Sequence, residues 1–366
     1  MTDAAPLSVV LAGGGSAGHV NPLLATADAL RRRDPETVLT VLGTAEGLEA
    51  RLVPARGYPF HVLPKAPFPR RPNGAAFKFP AAMSGAVKAA ANAMREAKAD
   101  VVVGFGGYVA TPAYLAARRL GLPIVIHEQN ARPGLANKLG ARFTQHIATT
   151  FASTPLPGAK HIGMPLRVEI SNLDRDGLRR SARKHFELDP EVQTLLVFGG
   201  SLGAARLNDA FSEAAVAITD AGVQVLHITG EGKEIALPAQ ESLKHRYRAI
   251  TYSDRMDLAY ASADLAVCRS GAGTLCEIAA IGLPAALVPL PIGNGEQRLN
   301  AQDLVAAGGA TLTDDSEVDV EWVKNVVIPL LADSSRVEQM SAAAAAIGHR
   351  DGDDALVAMI YEAAKR

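Results

Sequence analysis

The sequence predicts an α/β protein in which two Rossmann-like, doubly wound parallel-sheet domains follow one another. The chain has 366 residues, more than one hydrophobic core usually serves. Short apolar runs alternate with longer amphipathic ones, the pattern of a parallel sheet covered by helices. A strand–glycine turn–helix unit also occurs twice, at residues 9–18 and about half a chain later at 194–203. Each half therefore begins with its own glycine turn.

The first half contains six apolar runs short enough to be strands, with helical stretches between them. The strands are expected at Ser8–Ala12, Thr37–Leu42, His61–Leu63, Val101–Gly104, Ile124–His127 and His146–Ala148. Helices are expected at Pro22–Arg33, Ala81–Ala97 and Pro112–Leu120. This pattern stops at 163–167, which marks the end of the first domain.

The second half opens with a charged helical stretch and then returns to alternating runs. That helix is expected at Arg175–Phe186, and strands at Thr194–Phe198, Gln224–Thr229, Ala249–Tyr252, Leu265–Cys268 and Ala285–Pro289. The final helix, Asp353–Lys365, has no strand after it and is expected to pack on the first domain. The predicted domains are therefore residues 1–165 with 347–366, and residues 166–346. Ligands bind beyond the carboxyl ends of such strands, so two facing domains predict one cleft for two substrates.

Composition narrows the functional class. Apolar residues make up 48% of the chain, and the net charge is −1, which gives no overall field for nucleic acid. The two cysteines, Cys268 and Cys276, have no partner at metal-binding spacing and are expected to be buried and reduced. The N-terminus lacks the basic leader of a signal peptide, and prolines interrupt the longest charge-free stretch, 278–295. These features predict a cytosolic protein without a membrane span.

The first glycine turn, GGGSAGHVNP at 13–22, matches G-x-G-x-x-G but lacks what either common phosphate motif needs. A dinucleotide site wants an acid at the end of the second strand, and 41–44 reads VLGT. A P-loop wants Lys and then Ser or Thr, where this chain has His19 and Val20. What remains is a backbone that a ligand can approach, a helix N-terminus and an imidazole. An imidazole accepts a proton at neutral pH, so His19 is the predicted general base, and a purely structural histidine is the alternative.

A second pair of turns, in the other half, suits a nucleotide diphosphate. Residues 268–277, CRSGAGTLCE, again form strand, glycine turn and helix. The amides of Gly271–Leu275 suit a pyrophosphate, and Arg269 adds charge. Glu277 is placed to accept from a ribose diol, with an ordinary first-turn helix acid as the alternative. The turn at 199–203, GGSLG, supplies further amides and a hydroxyl.

Two more segments follow strands of the first half. They are GFGGY at 104–108 and HEQN at 127–130. Four polar residues in a row after a buried strand are not expected to serve packing. They are therefore predicted to contact substrate.

Seven motifs in a fixed order give the chain a family resemblance. They are GGGSAGHVNP (13–22), GFGGY (104–108), HEQNARPGLANK (127–138), GMPLR (163–167), FGGSLGAARLN (198–208), CRSGAGTLCEIAAIGLPA (268–285) and GEQRLNA (295–301). With them the chain resembles the MurG family of peptidoglycan N-acetylglucosaminyltransferases, in glycosyltransferase family 28. The resemblance extends over about residues 9–310. It is far more specific than any one glycine turn.

The resemblance implies a GT-B fold and a reaction. N-acetylglucosamine (GlcNAc) would pass from UDP-GlcNAc to the C4 hydroxyl of MurNAc in lipid I, the undecaprenyl-pyrophosphoryl-MurNAc-pentapeptide, giving lipid II with inversion at the anomeric carbon. It implies no cofactor and no metal at the chemical step. The implied partners are UDP-GlcNAc, lipid I, an anionic membrane surface and other wall-synthesis proteins, with no nucleic acid. The implied location is peripheral, on the cytoplasmic face of the bacterial cell membrane.

The resemblance also implies roles for individual residues. The donor diphosphate would be bound by Ser201, Arg269 and the glycine turn that follows Arg269. Glu277 would bind the ribose, and Ser253 and Met256 would line the uracil pocket. Glu296 and Gln297 would bind the GlcNAc hydroxyls. The turn residues are Ser270, Gly271, Ala272, Gly273, Thr274 and Leu275. Near the reacting carbon would lie Ser16, Ala17, Gly18, Asn130 and Arg167. His19 is the candidate base, with Glu128 second.

This chain departs from the family pattern at three positions. Ser16 and Ala17 stand where the family often has Thr and Gly, and Glu296 replaces the first of two glutamines. A carboxylate still accepts from sugar hydroxyls, so donor choice is expected to survive.

The segment 66–80, APFPRRPNGAAFKFP, mixes basic and aromatic residues. It is interpreted as a weak interfacial contact with anionic lipid, and a proline-rich surface loop is the alternative.

Two other functions stay open from sequence. One is a different GT-B transferase, or an epimerase, that acts on UDP-GlcNAc. The other is a regulator that binds a nucleotide sugar without turnover, which would tolerate replacement of His19.

Overall fold

The computed structural model describes residues 5–66, 74–200, 204–292 and 295–365. Contacts divide the chain into two compact units. Unit 1 comprises Met1–Arg167 and Arg350–Arg366, and unit 2 comprises Val168–His349. The sheet of each unit is parallel throughout.

The described part of unit 1 contains a seven-stranded sheet. Its strands are β1 (Ser8–Ala12), β2 (Val38–Gly43), β3 (Phe60–Val62), β4 (Val101–Gly104), β5 (Ile124–Glu128), β6 (His146–Thr149) and β7 (Lys160–His161). They lie in the order β3-β2-β1-β4-β5-β6-β7. The order reverses between β1 and β4, the switch point at which such sheets bind ligands.

Helices cover both faces of this sheet. They are α1 (Ala17–Arg33), α2 (Glu49–Ala55), α3 (Gly74–Glu96), α4 (Gly107–Leu120) and α5 (Leu135–Gly140). Val9 and Leu11 of β1 belong to a core shared with α1, whereas Val10 and Ala12 belong to a core shared with α3 and α4. Burial on both faces explains why the strands are continuously apolar instead of alternating.

Unit 2 repeats this plan. Its strands are β8 (Thr194–Phe198), β9 (Gln224–Ile228), β10 (Tyr247–Ile250), β11 (Leu265–Cys268), β12 (Ala285–Leu287) and β13 (Ala310–Leu312), in the order β10-β9-β8-β11-β12-β13. Its α-helices are α6 (Val168–Ser171), α7 (Arg175–His185), α8 (Ala205–Glu213), α9 (Ala215–Asp220), α10 (Met256–Ser262), α11 (Ala272–Ala280), α12 (Glu296–Asn300), α13 (Gln302–Ala306), α14 (Val320–Trp322), α15 (Ile328–Ala332) and α16 (Ser334–Ile347). Short 3-10 turns occupy Glu241–Leu243 and Asp315–Glu317, and a π-helical segment occupies Val323–Val327.

The last helix, α17 (Gly352–Ala363), lies in unit 1. Its apolar residues, Leu356, Val357, Met359 and Ile360 among them, join the core that contains α1. Its acidic residue Asp353 accepts a hydrogen bond from Arg32 of α1.

The sequence predicted the inner strands of both sheets but missed one outermost strand in each. The strands β7 and β13 were not predicted, because two or three residues carry no periodicity. Helix α3 begins at Gly74, seven residues earlier than expected, and continues through Pro80. The basic and aromatic segment therefore enters a helix at its end, while 67–73 lie outside the described residues. None of the helices in the described ranges is long and apolar enough to cross a membrane.

Candidate active site

The turn after β1 reaches α1 at the switch point of unit 1. Gly15 has φ +91°, a conformation that glycine adopts without strain. A Cβ on Gly107, the first residue of α4 after the turn that follows β4, would lie only 2.5 Å from the carbonyl oxygen of Gly14. Glycine at this position therefore lets the two backbone turns pack directly against each other.

His19 lies in the first turn of α1 and is half-buried. Its Nδ1 is 3.0 Å from the hydroxyl oxygen of Ser16. Ser16 is the N-cap residue of α1, yet its side chain makes no capping bond. Burial lowers the pKa of His19, an effect that a hydrogen bond to the Gly14 backbone and the charge of Glu49 oppose. The imidazole is therefore neutral, and able to accept a proton, at physiological pH.

We expect Ser16→Ala to lower kcat up to about tenfold, because one hydrogen bond to His19 is lost, and Ser16→Thr to restore it. The melting temperature should stay unchanged, because the hydroxyl does not cap α1. Steady-state kinetics and thermal unfolding of both variants check this. A lower melting temperature with unchanged kcat would show that the hydroxyl serves the helix instead.

A carboxylate that the sequence analysis missed lies behind this turn. Glu49, the first residue of α2, is fully buried. Its Oε2 accepts from the Gly15 N–H at 2.8 Å, and its Oε1 accepts from the N–H and the hydroxyl of Thr44, both at 2.9 Å. The end of β2 thus does have an acid, but that acid binds backbone and not a ribose. The sequence feature that goes with this buried acid is the pair of glycines Gly43 and Gly47, since larger residues there would collide with it. A Cβ on Gly43 would lie 2.4 Å from the Glu49 Cγ, and one on Gly47 would lie 2.1 Å from the Glu49 Oε1.

Glu128, the second candidate base, is the last residue of β5 and is 2% exposed. It accepts from the N–H groups of Asn130 and Gly134, both at 3.0 Å, and from the Asn137 amide at 2.9 Å. Burial raises its pKa, against the effect of these bonds. Its carboxylate holds the loop 130–137 together.

The expectation that 127–130 serve substrate and not packing is wrong for most of that segment. His127 and Gln129 are buried. The His127 ring bonds the Gly163 carbonyl through Nε2 at 2.9 Å and Gln129 through Nδ1 at 3.1 Å. Burial lowers the pKa of His127 to about 4, so the ring stays neutral. Only Asn130, which is half-buried, lies partly open to solvent.

His19 and Asn137, a hydrogen-bond partner of Glu128, both lie near Gly106 in unit 1. A Cβ added to Gly106 would lie 3.2 Å from the His19 Nε2 and 3.5 Å from the Asn137 Nδ2. The Asn137 amide in turn bonds Glu128, and its oxygen accepts from Tyr114. Of the other predicted residues of this unit, Ser16 and Gly18 are exposed, and Ala17 and Arg167 are half-buried.

In unit 2, the predicted diphosphate turn leads from β11 into α11. Gly271 is the N-cap of α11, and no described side chain caps this helix. The first amides of an uncapped helix suit an anion. The amide of Leu275 is already bonded to the Gly271 carbonyl, so the group available to a phosphate is smaller than predicted.

Arg269 does not extend a free guanidinium toward this turn, contrary to expectation. It is 9% exposed. Its Nη1 lies 2.6 Å from Asp315 and donates to the carbonyls of Val288 and Pro289 at 3.2 and 3.3 Å. Asp315 also pairs with Arg206 of α8 at 3.1 Å. Arg269 is therefore held by these contacts inside unit 2, where it fixes the loop after β12.

Glu277 lies one turn into α11 and is half-buried. Its Oε2 accepts from the Tyr260 hydroxyl at 2.7 Å. Tyr260 is 1% exposed, so this bond holds the carboxylate at one position. Such fixed placement suits an acceptor for a ribose diol.

The remaining donor-side residues differ in accessibility. Ser270 is buried and donates to the Gln297 carbonyl at 2.9 Å, while the Gln297 side-chain oxygen accepts from the Leu290 N–H at 2.9 Å. Glu296 is exposed. Ser253 accepts from the Arg255 N–H at 3.2 Å, and Met256 begins α10, both beyond the edge strand β10. Ser201 lies outside the described residues.

The part of the chain that the structure describes contains no group of three or more His, Cys, Asp or Glu side chains arranged to hold a metal ion.

Comparison with known proteins covers nearly the whole chain. Residues 9–149 match the glycosyltransferase family 28 N-terminal domain, and residues 194–356 match the glycosyltransferase family 28 C-terminal domain. The fold is also similar to the crystal structure of Acinetobacter baumannii MurG, with a TM-score of 0.80 at 29% identity, covering 98% of this chain and 100% of that one.

Two curated relatives are similar in sequence from end to end. A Streptomyces avermitilis protein is 54% identical over 98% of both chains. A protein of Leifsonia xyli subsp. xyli is 56% identical over 96% of this chain and 97% of its own. Both are named UDP-N-acetylglucosamine–N-acetylmuramyl-(pentapeptide) pyrophosphoryl-undecaprenol N-acetylglucosamine transferase.

Proposed function

Because the chain belongs to glycosyltransferase family 28, we propose that it transfers GlcNAc from UDP-GlcNAc to the MurNAc C4 hydroxyl of lipid I and so forms lipid II in peptidoglycan synthesis. The observation that carries this proposal is the end-to-end similarity, above 50% identity, to relatives named for that reaction. A second observation supports the proposal: His19, and not a phosphate-binding lysine, follows the glycine turn at the switch point of unit 1.

The chemistry is a single displacement. The His19 imidazole takes the proton of the C4 hydroxyl while that oxygen bonds to the anomeric carbon of GlcNAc. The bond from this carbon to the UDP oxygen breaks, and UDP leaves with the electron pair. Attack from the face opposite to UDP inverts the anomeric centre.

His19 is a better base than Glu128 for a reason of access. The imidazole is half-buried beside exposed Ser16 and Gly18, whereas Glu128 is enclosed and accepts three hydrogen bonds. Protonation of Glu128 would weaken the hydrogen bonds by which its carboxylate holds the loop 130–137. We assign Glu128 to holding that loop, and so to placing Asn130 toward the substrates.

Donor binding is assigned to unit 2. The diphosphate binds the start of α11 and Ser201, and Arg269 supports the site by fixing the loop after β12. Glu277 accepts from the ribose, and Ser253 and Met256 line the uracil pocket. Glu296 and Gln297 bind the GlcNAc hydroxyls. In unit 1, Ala17, Gly18 and Arg167 lie with Ser16 near the reacting carbon.

We expect Glu277→Gln to weaken UDP binding about 10- to 100-fold, because an amide replaces a charged acceptor for the ribose diol. Titration calorimetry with UDP measures this. Tyr260→Phe, which leaves the carboxylate but removes the bond that holds it, should weaken binding less. Equal UDP affinity in the wild type and Glu277→Gln would remove the ribose role.

The acceptor determines the location. Lipid I is anchored in the membrane, so we propose that the protein works as a peripheral protein on the cytoplasmic face of the bacterial cell membrane, near other wall-synthesis proteins. Arg70, Arg71 and Lys78, interleaved with Phe68 and Phe77, would contact anionic lipid there. Sedimentation with vesicles that contain or lack anionic lipid tests this contact.

The test of the function is incubation with labelled UDP-GlcNAc, with and without a lipid I analogue. A labelled lipid that appears only with the analogue is the expected product. An epimerase would convert the sugar nucleotide without the analogue. A regulator would bind UDP-GlcNAc and yield neither product, and that result would overturn the proposal.

A further inference from the structure

We propose that Glu49 is a positioning residue of the transfer site: its buried carboxylate holds the glycine turn in place and keeps a fixed negative charge behind His19. This inference rests on the proposed function of His19 as the base. Glu49 belongs to none of the seven motifs that give the chain its resemblance.

Both carboxylate oxygens of Glu49 accept hydrogen bonds. One oxygen binds the turn after β1 through Gly15, and the other binds the turn after β2 through Thr44. The strands β1 and β2 are neighbours in the sheet. The Glu49 side chain therefore connects the two turns that follow the carboxyl ends of these neighbouring strands. Ser16 and His19 follow directly on the turn that it holds.

The Glu49 side chain also occupies space that is open only because three nearby residues are glycines. A Cβ on Gly14 would lie 2.3 Å from the Glu49 Oε1, and one on Gly47 would lie 2.1 Å from the same atom. A Cβ on Gly43 would lie 2.4 Å from the Glu49 Cγ. Three glycines thus make room for one acid. A carboxylate is expensive to bury, and it is retained where it is fully hydrogen-bonded.

The Gly15 amide is bonded to Glu49 and is therefore not free for a ligand. An N–H in a glycine turn before a helix is the group that would meet a phosphate. Here it donates to Glu49 at 2.8 Å, although Gly15 itself is exposed. The Glu49 carboxylate thus takes the place, on the buried side of the turn, that a bound phosphate would take. We infer that the turn serves to position Ser16 and His19 and not to bind a phosphate.

Glu49 is the charged group that acts on His19, whereas the groups in contact with the ring are neutral. Ser16 and the Gly14 backbone bond the ring, and Gly106 of the turn after β4 lies beside it, and none of these groups ionises. Glu128 lies beyond Asn137. Among the described residues, the charge that acts on the His19 pKa is that of Glu49, which raises it. The hydrogen bonds from Gly15 and Thr44 outweigh the effect of burial and lower the pKa of Glu49, which keeps it ionised near neutral pH.

The experiment compares Glu49→Gln with Glu46→Gln in the full-length protein. Glutamine has nearly the same shape as glutamate but no charge, and its amide cannot accept from Gly15 and Thr44 together. Glu46 lies three residues away, is exposed and pairs with Lys65, so it gives the same charge change without the buried bonds. The imidazole pKa of His19 is measured by NMR titration, and kcat/KM is measured against pH with UDP-GlcNAc and a lipid I analogue.

In Glu49→Gln we expect the His19 pKa to fall by about 0.5–1 pH unit, because a nearby negative charge is lost. The acidic limb of kcat/KM should move to lower pH by a similar amount. The plateau should fall about tenfold or more, as the turn loosens and the base weakens. Glu46→Gln should match the wild type in all three. An unchanged His19 pKa and an unchanged kcat/KM in folded Glu49→Gln would overturn the inference.

The outcomes separate this inference from the proposed function. A shifted NMR pKa with an unmoved acidic limb would retain Glu49 as the group that positions the turn and would reject His19 as the base. Absence of lipid product with the wild type would reject the function alone. If Glu49→Gln does not fold, hydrogen exchange of the Gly15 amide in the wild type decides. Slow exchange of this exposed residue supports the bond to Glu49, and fast exchange overturns it.

Discussion

Replacing His19 with alanine is expected to lower kcat by roughly 10²–10⁴, the usual contribution of a positioned general base. UDP-GlcNAc affinity should stay within a few-fold of the wild type, because donor binding is assigned to unit 2. The physical reason is the state of the ring: burial keeps it neutral, and its Nδ1 lies 3.0 Å from the Ser16 hydroxyl at the exposed side of the turn. Single-turnover kinetics and donor titration calorimetry measure the two effects separately.

A matched histidine is available as the control. His61 of β3 is also half-buried in unit 1, but it lies on an outer strand of the described sheet. We expect His61→Ala to keep kcat within about twofold, since a substitution away from a site has small effects. Wild-type turnover in His19→Ala would show that His19 is not the base and would leave Glu128 as the candidate.

Replacing Gly107 with alanine is expected to lower kcat about 100-fold, because a Cβ there would lie 2.5 Å from the Gly14 carbonyl oxygen. The atoms that this Cβ would meet are backbone atoms of Gly14, so no flexible side chain can move aside to make room. The turn after β1 must then shift, and Ser16 and His19 shift with it. Steady-state kinetics with the lipid I analogue measure the effect.

Gly121, at the other end of the same helix α4, is the matched control. Both glycines have positive φ, +76° at Gly107 and +70° at Gly121. Alanine should therefore cost about 1–2 kcal/mol of folding free energy through backbone strain at either position. At Gly121, however, the added Cβ meets no other atom within 4 Å. Gly121→Ala should lose stability and keep kcat, and equal kcat losses in both variants would show that strain, and not the contact between the turns, is responsible.

The two sheets could be predicted almost completely from sequence, for a physical reason. A strand buried on both faces is a run such as Ser8–Ala12, apolar at nearly every position, and no surface loop has that composition. Two-residue β7 and three-residue β13 lack enough positions to show any pattern. Gly74–Pro80 was not recognised as helix, because proline and glycine in that stretch favoured a loop.

The candidate site was predictable where a motif is local. GGGSAGH brings Ser16 and His19 together by chain connectivity alone, and the structure adds the 3.0 Å contact. Partners distant in sequence were missed: Glu49 is 34 positions from Gly15, and Asp315, which pairs with Arg269, is 46 positions from it (315 − 269). Only the fold brings such pairs together. The polar run 127–130 looked functional because sequence does not reveal which polar side chains are buried and bonded to one another.

In the proposed reaction, a neutral imidazole drives a single inverting displacement in which the C4 hydroxyl of lipid I attacks the anomeric carbon of GlcNAc. The configuration of the new linkage tests it most directly, since the donor sugar is α-linked to UDP. NMR of the purified product should show a β-linked GlcNAc on O4 of MurNAc, seen as a large coupling of the anomeric proton. An α-linked product, or GlcNAc on any other atom, would contradict the account.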